Sequence, residues 1–205
     1  MPSPRFPVPR LLLLAALLAS AGSGLAQKPA RGAAAADPME ASLQGEFALQ
    51  SGQLGEAARH YLAAARAADD PVLAERATRI ALLADEDALA RDAYATWVRL
   101  APDVNQSQRM VAASLALRSG QKRLARRELR ALLAEERGWT SALAALFGAV
   151  GKQQALVVTM IEEIVKDGSL PDQLQPWLGF GGLAQRLGQA ALVERIVEEI
   201  VARFP

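Results

Sequence analysis

The chain contains no cysteine. That absence excludes disulfides, thiolate zinc sites, cysteine nucleophiles and the lipid-accepting thiol of a bacterial lipoprotein. Aromatic residues make up only 5% of the 205 positions, so side chains that favour strands are scarce. His60 is the single histidine; it leaves imidazole catalysis and His-centred metal binding to one side chain with no ligand spacing around it. No metal and no cofactor is expected. Neither sign of charge dominates: 23 Lys and Arg face 22 Asp and Glu, a formal net charge of +1. Such a balance gives no reason to expect nucleic acid or an anionic membrane as partner. The longest apolar run, LLLLAALLA at residues 11–19, falls well short of the roughly 20 residues a spanning helix needs.

What the chain does have is alanine and leucine. With 51% hydrophobic residues it can bury a substantial core, and its two commonest apolar residues have the best helix propensities. At the N-terminus Arg5 and Arg10 flank the apolar run, and SAGSGLAQ follows with Gly24 and Ala26 placed for a cut before Gln27. This is the pattern of an export signal over residues 1–26. The expected location is the periplasm or outside the cell, without a lipid anchor. Losing Arg5 and Arg10 would leave the mature chain close to neutral. QKPARGAAAAD, residues 27–37, has no periodic apolar face and reads as a flexible linker.

From residue 38 onward one local pattern recurs. SGQ in ALQSGQLGEAARHY returns in ALRSGQKRLARREL, and as LGQ in AQRLGQAALVERIV. The glycines are Gly52, Gly120 and Gly188, spaced 68 residues apart, which is twice 34. Helical spacing fits on both sides of each, so each glycine marks a tight turn between two helices, where a positive φ costs it little. The acidic DED at residues 85–87 falls at the half-period, and Gly151 supplies the expected break in the fourth unit. Pro71 and Pro102 end the first and second units. A single helix pair cannot cover its own apolar stripe, so neighbours must stack.

These residues resemble the tetratricopeptide repeat family, whose mark is W-x2-L-G-x2-Y, then A-x3-F, then a closing proline on a 34-residue period. Trp177, Phe180, Gly181 and Ala184 take the first four positions in the fifth unit, with Gly188 at its turn and Pro205 closing. Gly45 takes the small contact position in the first unit; Ala57 and Tyr61 match A-x3-F, repeated by Ala93 and Trp97 and by Ala125 and Leu129. The resemblance implies an all-α fold: an αα-hairpin solenoid of about five repeats wound as a right-handed superhelix over residues 38–205. DDPVLAERATRIALLA, followed by LAPD, is similar to exported tetratricopeptide proteins of Gram-negative bacteria. One such group is an outer-membrane adaptor for a C-terminal processing protease that degrades cell-wall hydrolases. The implied partner is a protein or peptide, with an envelope protease or cell-wall enzyme as the specific expectation. That group's lipid anchor does not carry over to a chain without cysteine.

The resemblance also implies which positions face the concave groove. They are Ser42, Glu46, Leu49 and Gln50 in the first unit, Thr78 and Leu82 in the second, and Met110, Ser114, Leu117 and Arg118 in the third. Their mixture of polar and aliphatic groups suits an extended peptide or a helix better than a phosphate or a sugar. No catalytic residue is expected. SGQK at residues 119–122 has the S-x-x-K form of acyl-enzymes but lacks the companion motifs and lies on a repeat turn. GAVGKQ is too short and lacks the Ser or Thr of a phosphate loop. The alternative class is a helical-solenoid enzyme acting on cell-wall glycan, which would need two positioned carboxylates; Glu46 and Asp85 are the residues with which to test it.

Two surface features complete the reading. Arg123, Arg126, Arg127 and Arg130 form one basic helix face interleaved with Glu128, Glu135 and Glu136. A solvated face with i,i+4 pairing is the expected meaning. Ile196, Val197, Ile200, Val201 and Phe204 give the last helix an apolar stripe where a solenoid would carry a polar cap. A longer array, a partner or self-association through this helix would cover it.

Overall fold

The structure, a computed structural model, describes residues 37–204. The expected export signal and all of the expected linker but Asp37 lie outside the described residues. Ten helices and no strand occur among the described residues, so the fold is all-α. They are α1 (Pro38–Gln50), α2 (Leu54–Ala68), α3 (Pro71–Leu83), α4 (Asp87–Leu100) and α5 (Gln106–Arg118). There follow α6 (Lys122–Leu133), α7 (Gly138–Phe147), α8 (Val150–Lys166), α9 (Leu174–Arg186) and α10 (Ala190–Arg203).

Local chemistry starts and stops these helices. Asp37 caps α1: its carboxylate accepts the Met39 amide at 2.9 Å. Asp70 caps α3 likewise, accepting from Val72 at 2.7 Å, and a proline opens both helices. Asn105 and Gln108 form a reciprocal capping box on α5, and the buried Gln108 amide also donates to the Ala101 carbonyl.

Gly52, Gly120 and Gly188 have φ of 73°, 72° and 70° and end α1, α5 and α9. The amides of Gln53, Gln121 and Gln189 reach back to Ala48, Ala116 and Ala184, which satisfies carbonyls the helix end would orphan. In the second pair Asp85 takes the left-handed place at φ 61°, and Glu86 bonds back to Ala81. The fourth turn departs from expectation. Gly151 lies within α8 and is not left-handed; the break falls at Gln153, with φ −141° and ψ 50°.

Each connection of three residues forces the next helix to return along the previous one. Packing follows chain order: α1 on α2, α2 on α3, α3 on α4, and so on to α9 on α10, with second neighbours α2–α4, α5–α7, α6–α8 and α7–α9 also touching. The apolar interior falls into two clusters that meet on α5. Val111 and Leu115 join Tyr61, Ala77 and Trp97 of the earlier helices. Ala113, Ala116 and Leu117 join Leu129, Met160, Trp177 and Phe180 of the later ones. Burial of large side chains such as Trp177 and Phe180 stabilises the fold by about 1.5–3 kcal/mol each.

Counted from the turn, Ala90 and Tyr94 stand where Ala57 and Tyr61 stand in α2 and where Ala125 and Leu129 stand in α6. Ala93 and Trp97, expected in that role, lie three residues further on and are buried as well. Gly45 packs closely on its neighbour: a Cβ there would sit 3.1 Å from Cε2 of the buried Tyr61 ring.

Candidate partner-binding groove

A helix buried along one stripe must leave another open, and α3, α5, α7 and α9 leave theirs around two adjoining concavities. Along α5, Met110, Ser114 and Arg118 recur every fourth residue and line a concavity of about 380 Å³. Leu82 and Leu83 of α3 form one wall with Arg79, and Ala144 and Ala145 of α7 with Gly148 just beyond it form the other. A second concavity of about 350 Å³ continues from Ala144 to α9, between Thr140, Leu143 and Phe147 on one side and Gly179, Leu183 and Arg186 on the other. Its wall is close-fitting, since a Cβ on Gly179 would lie 3.1 Å from Cδ2 of Leu143.

Of the ten residues assigned to the groove, Leu82, Met110, Ser114 and Arg118 therefore line one cleft. Thr78 and Leu117 do not. Thr78 is fully buried in the stripe of Ala74, Ala77 and Ala81, and its hydroxyl donates to the Ala74 carbonyl at 2.8 Å. Leu117 follows Ala113 by one helical turn on the buried face, beside the Met110–Ser114–Arg118 stripe rather than on it. Neither can offer its side chain to a partner. Ser42, Glu46, Leu49 and Gln50 lie on α1 and do not line this cleft, and Leu49 packs on the core. The residues missed on α7 were legible: Ala144 and Gly148 stand one 34-residue period beyond Met110 and Ser114.

No family model, curated protein or solved structure matches this chain.

One end of the first concavity is closed by an ion cluster. Arg118 is buried, and its Nε donates to Asp87 Oδ1 at 2.6 Å, one Nη to the Gly148 carbonyl at 3.0 Å, and the other Nη to Asp85. Lys152 Nζ lies 3.0 Å from Asp85 and 3.1 Å from Asp87. Hydrogen bonds from Lys152 and Arg118 hold the Asp85 carboxyl below the usual range. Burial pushes Asp87 upward, but the same two cations outweigh it and its pKa is lowered. The cluster ties the second turn, the end of α5 and the fourth turn together, and so fixes the separation of the groove walls.

Glu46 on α1 pairs with Arg76 on α3 at 2.8 Å, and the Arg76 guanidinium lies 4.4 Å from the centre of the Tyr61 ring. The Tyr61 hydroxyl approaches Glu46 without a well-formed hydrogen bond. Burial foremost, with Glu46 beside it, pushes the phenol up to about 12. The Tyr61 hydroxyl and Arg76 hold Glu46 below its usual range. A general acid needs the opposite shift.

Most of the basic run on α6 meets α8, while Arg127 bonds Glu128 on its own helix at 2.9 and 2.6 Å. Arg126 grips Glu163 with two bonds of 2.8 and 2.6 Å, Lys122 joins the same carboxylate at 3.0 Å, and Arg130 pairs with Asp167. The expected i,i+4 partners are thus displaced by cross-helix ones. In the groove Arg79 is held by Glu75 at 2.6 Å. Arg186 makes no ion pair among the described residues; its guanidinium lies 5.1 Å from the centre of the Phe147 ring.

Proposed function

We propose that the ten helices are five stacked hairpins of the tetratricopeptide kind, and that the chain is a non-catalytic scaffold whose cleft binds a protein segment, as a peptide or a helix. In this reading the protein is exported to the periplasm and acts on its partner by binding alone. An envelope protease or a cell-wall enzyme is the partner class suggested by the resemblance of DDPVLAERATRIALLA to exported adaptors. Helix packing in chain order, with odd helices touching α5 to α7 to α9, supports the stacked arrangement.

The observation that carries the functional reading is the paired cleft on α3, α5, α7 and α9. It offers apolar walls from Leu82, Met110, Leu143 and Phe147 with arginines at the margin and no carboxylate among the lining side chains. Apolar anchors in such a cleft supply affinity, and the charged margin supplies orientation. Arg186, stacked on Phe147 and free of an acidic partner among the described residues, is placed to meet a carboxylate of the bound segment.

The test is selection of binders from a random peptide library displayed against the full chain. The expected peptides carry apolar anchors and an acidic residue. They lose at least tenfold in affinity on Ala144→Arg, which blocks the junction of the two concavities, and not on Ala67→Arg on the exposed side of α2. Failure to select any binder, or equal affinity for the two variants, would overturn the reading.

A further inference from the structure

Most internal helix pairs cover one another in a common register, and that register leaves two outer faces exposed. On the even helices α2, α6 and α8, the residues eight and twelve positions beyond Gln53, Gln121 and Gln153 are Tyr61 and Ala65, Leu129 and Leu133, and Ile161 and Val165; all six are buried, while Tyr94 and Val98 at these positions of α4 are half-buried. The same positions beyond Gln189 on α10 are Val197 and Val201, which are 51% and 67% exposed. On the odd helices that end in a left-handed turn residue, the position five residues before that residue is Ile80 in α3, Leu115 in α5 and Leu183 in α9, and each is buried. On α1 it is Phe47, 67% exposed; one turn earlier Leu43 is 52% exposed where α5 has the buried Val111.

Internally, these two kinds of face meet each other. Each even helix packs on the odd helix that follows it, as α2 does on α3 and α6 on α7. Ile80 of α3 lies in the same apolar cluster as Tyr61 and Ala65 of α2, and Leu183 of α9 in the same cluster as Ile161 and Val165 of α8. Phe47 and Leu43 therefore present the half of this contact that faces an earlier pair, while Val197 and Val201 present the half that faces a later one. The two are complementary and lie on different surfaces of the chain.

We infer that the chain associates head to tail, with α1 of a second copy seated on α10 through Leu43 and Phe47 against Val197 and Val201. The interface repeats the internal contact, so one copy continues the helix order of the other. Ile196, Ile200 and Phe204 are not part of it, because Ile196 is buried and the other two lean on their own core. A heterologous contact of this kind leaves a free face at each end of a dimer and permits longer chains. The inference is independent of what the cleft binds.

Sedimentation equilibrium on the full chain, with Phe47→Glu and Val201→Glu, tests it. Both substitutions fall on exposed side chains, and circular dichroism checks that the helices persist. Wild type is expected to show concentration-dependent dimers and longer species, and each variant alone to need at least tenfold more protein to associate. Mixing the two variants should restore dimers but nothing longer, because each contributes the face the other has lost. A wild-type chain that stays monomeric, association that neither substitution weakens, or a mixture that forms no dimer would each overturn the inference.

Discussion

Arg118 and Asp87, 31 residues apart in sequence, are joined by a 2.6 Å hydrogen bond from Nε to Oδ1 at the closed end of the groove. The arginine belongs to α5, the aspartate to the start of α4, and the same guanidinium reaches the Gly148 carbonyl beyond α7. One side chain thus spans three consecutive helix pairs. Replacing it should matter more than its position on a surface helix suggests. Arg118→Met keeps the apolar stem and removes every bond, and it should cost about 1–3 kcal/mol in urea unfolding. An unchanged midpoint would show that the cluster does not hold the walls together.

Acid should act through the same cluster. Asp85, Asp87 and Glu163 all have lowered pKa values, from partners that are cationic at every relevant pH. A carboxylate whose folded pKa is depressed contributes stability that is complete above its unfolded value and is lost as pH falls through the folded one. Stability should therefore hold steady above the ordinary carboxylate range near 4 and decline below it. Urea midpoints measured from pH 7 down to pH 3 check this, and Arg118→Met should flatten the acid limb. A decline beginning near pH 6 would point to another group.

Two glycines give opposite signs for the same substitution. Gly52 has φ 73° with nothing near a new Cβ, so Gly52→Ala carries backbone strain alone, about 1 kcal/mol. Gly182 sits inside α9 with equally open space around it. There Gly→Ala should stabilise by about 0.5–1 kcal/mol through helix propensity. Thermal unfolding of the two variants separates the effects.

Gly45 tests packing rather than backbone. Its Cβ would press on the buried ring of Tyr61 at 3.1 Å. Gly45→Val should destabilise by about 1–3 kcal/mol, and Tyr61→Leu in the same chain should recover part of that loss. Additive losses in the double variant would show that the two residues do not share the space.

The spacing of Gly52, Gly120 and Gly188 made three of the turns legible because a left-handed residue after a helix is written most plainly as glycine. Asp85 does the same work without glycine, and only the half-period pointed to it. Gly151 misled because glycine marks permission for positive φ, not its use; the chain bends instead at Gln153. In the groove, Met110, Ser114 and Arg118 were readable as a stripe of every fourth residue. Leu117 stands off that spacing, but Thr78 was not separable from Leu82 four residues on, since burial there depends on neighbouring helices that lie far off in sequence. The pairing of Arg126 with Glu163, 37 residues away, was invisible for the same reason.

Amide hydrogen exchange on the full chain, with and without a library-selected peptide, tests the binding claim most directly. The account predicts slowed exchange in α3, α5, α7 and α9, centred on the helix turns that carry Met110 and Ala144, with α2, α4 and α6 unchanged. Protection confined to the even helices, or to the outer faces of α1 and α10, would contradict it.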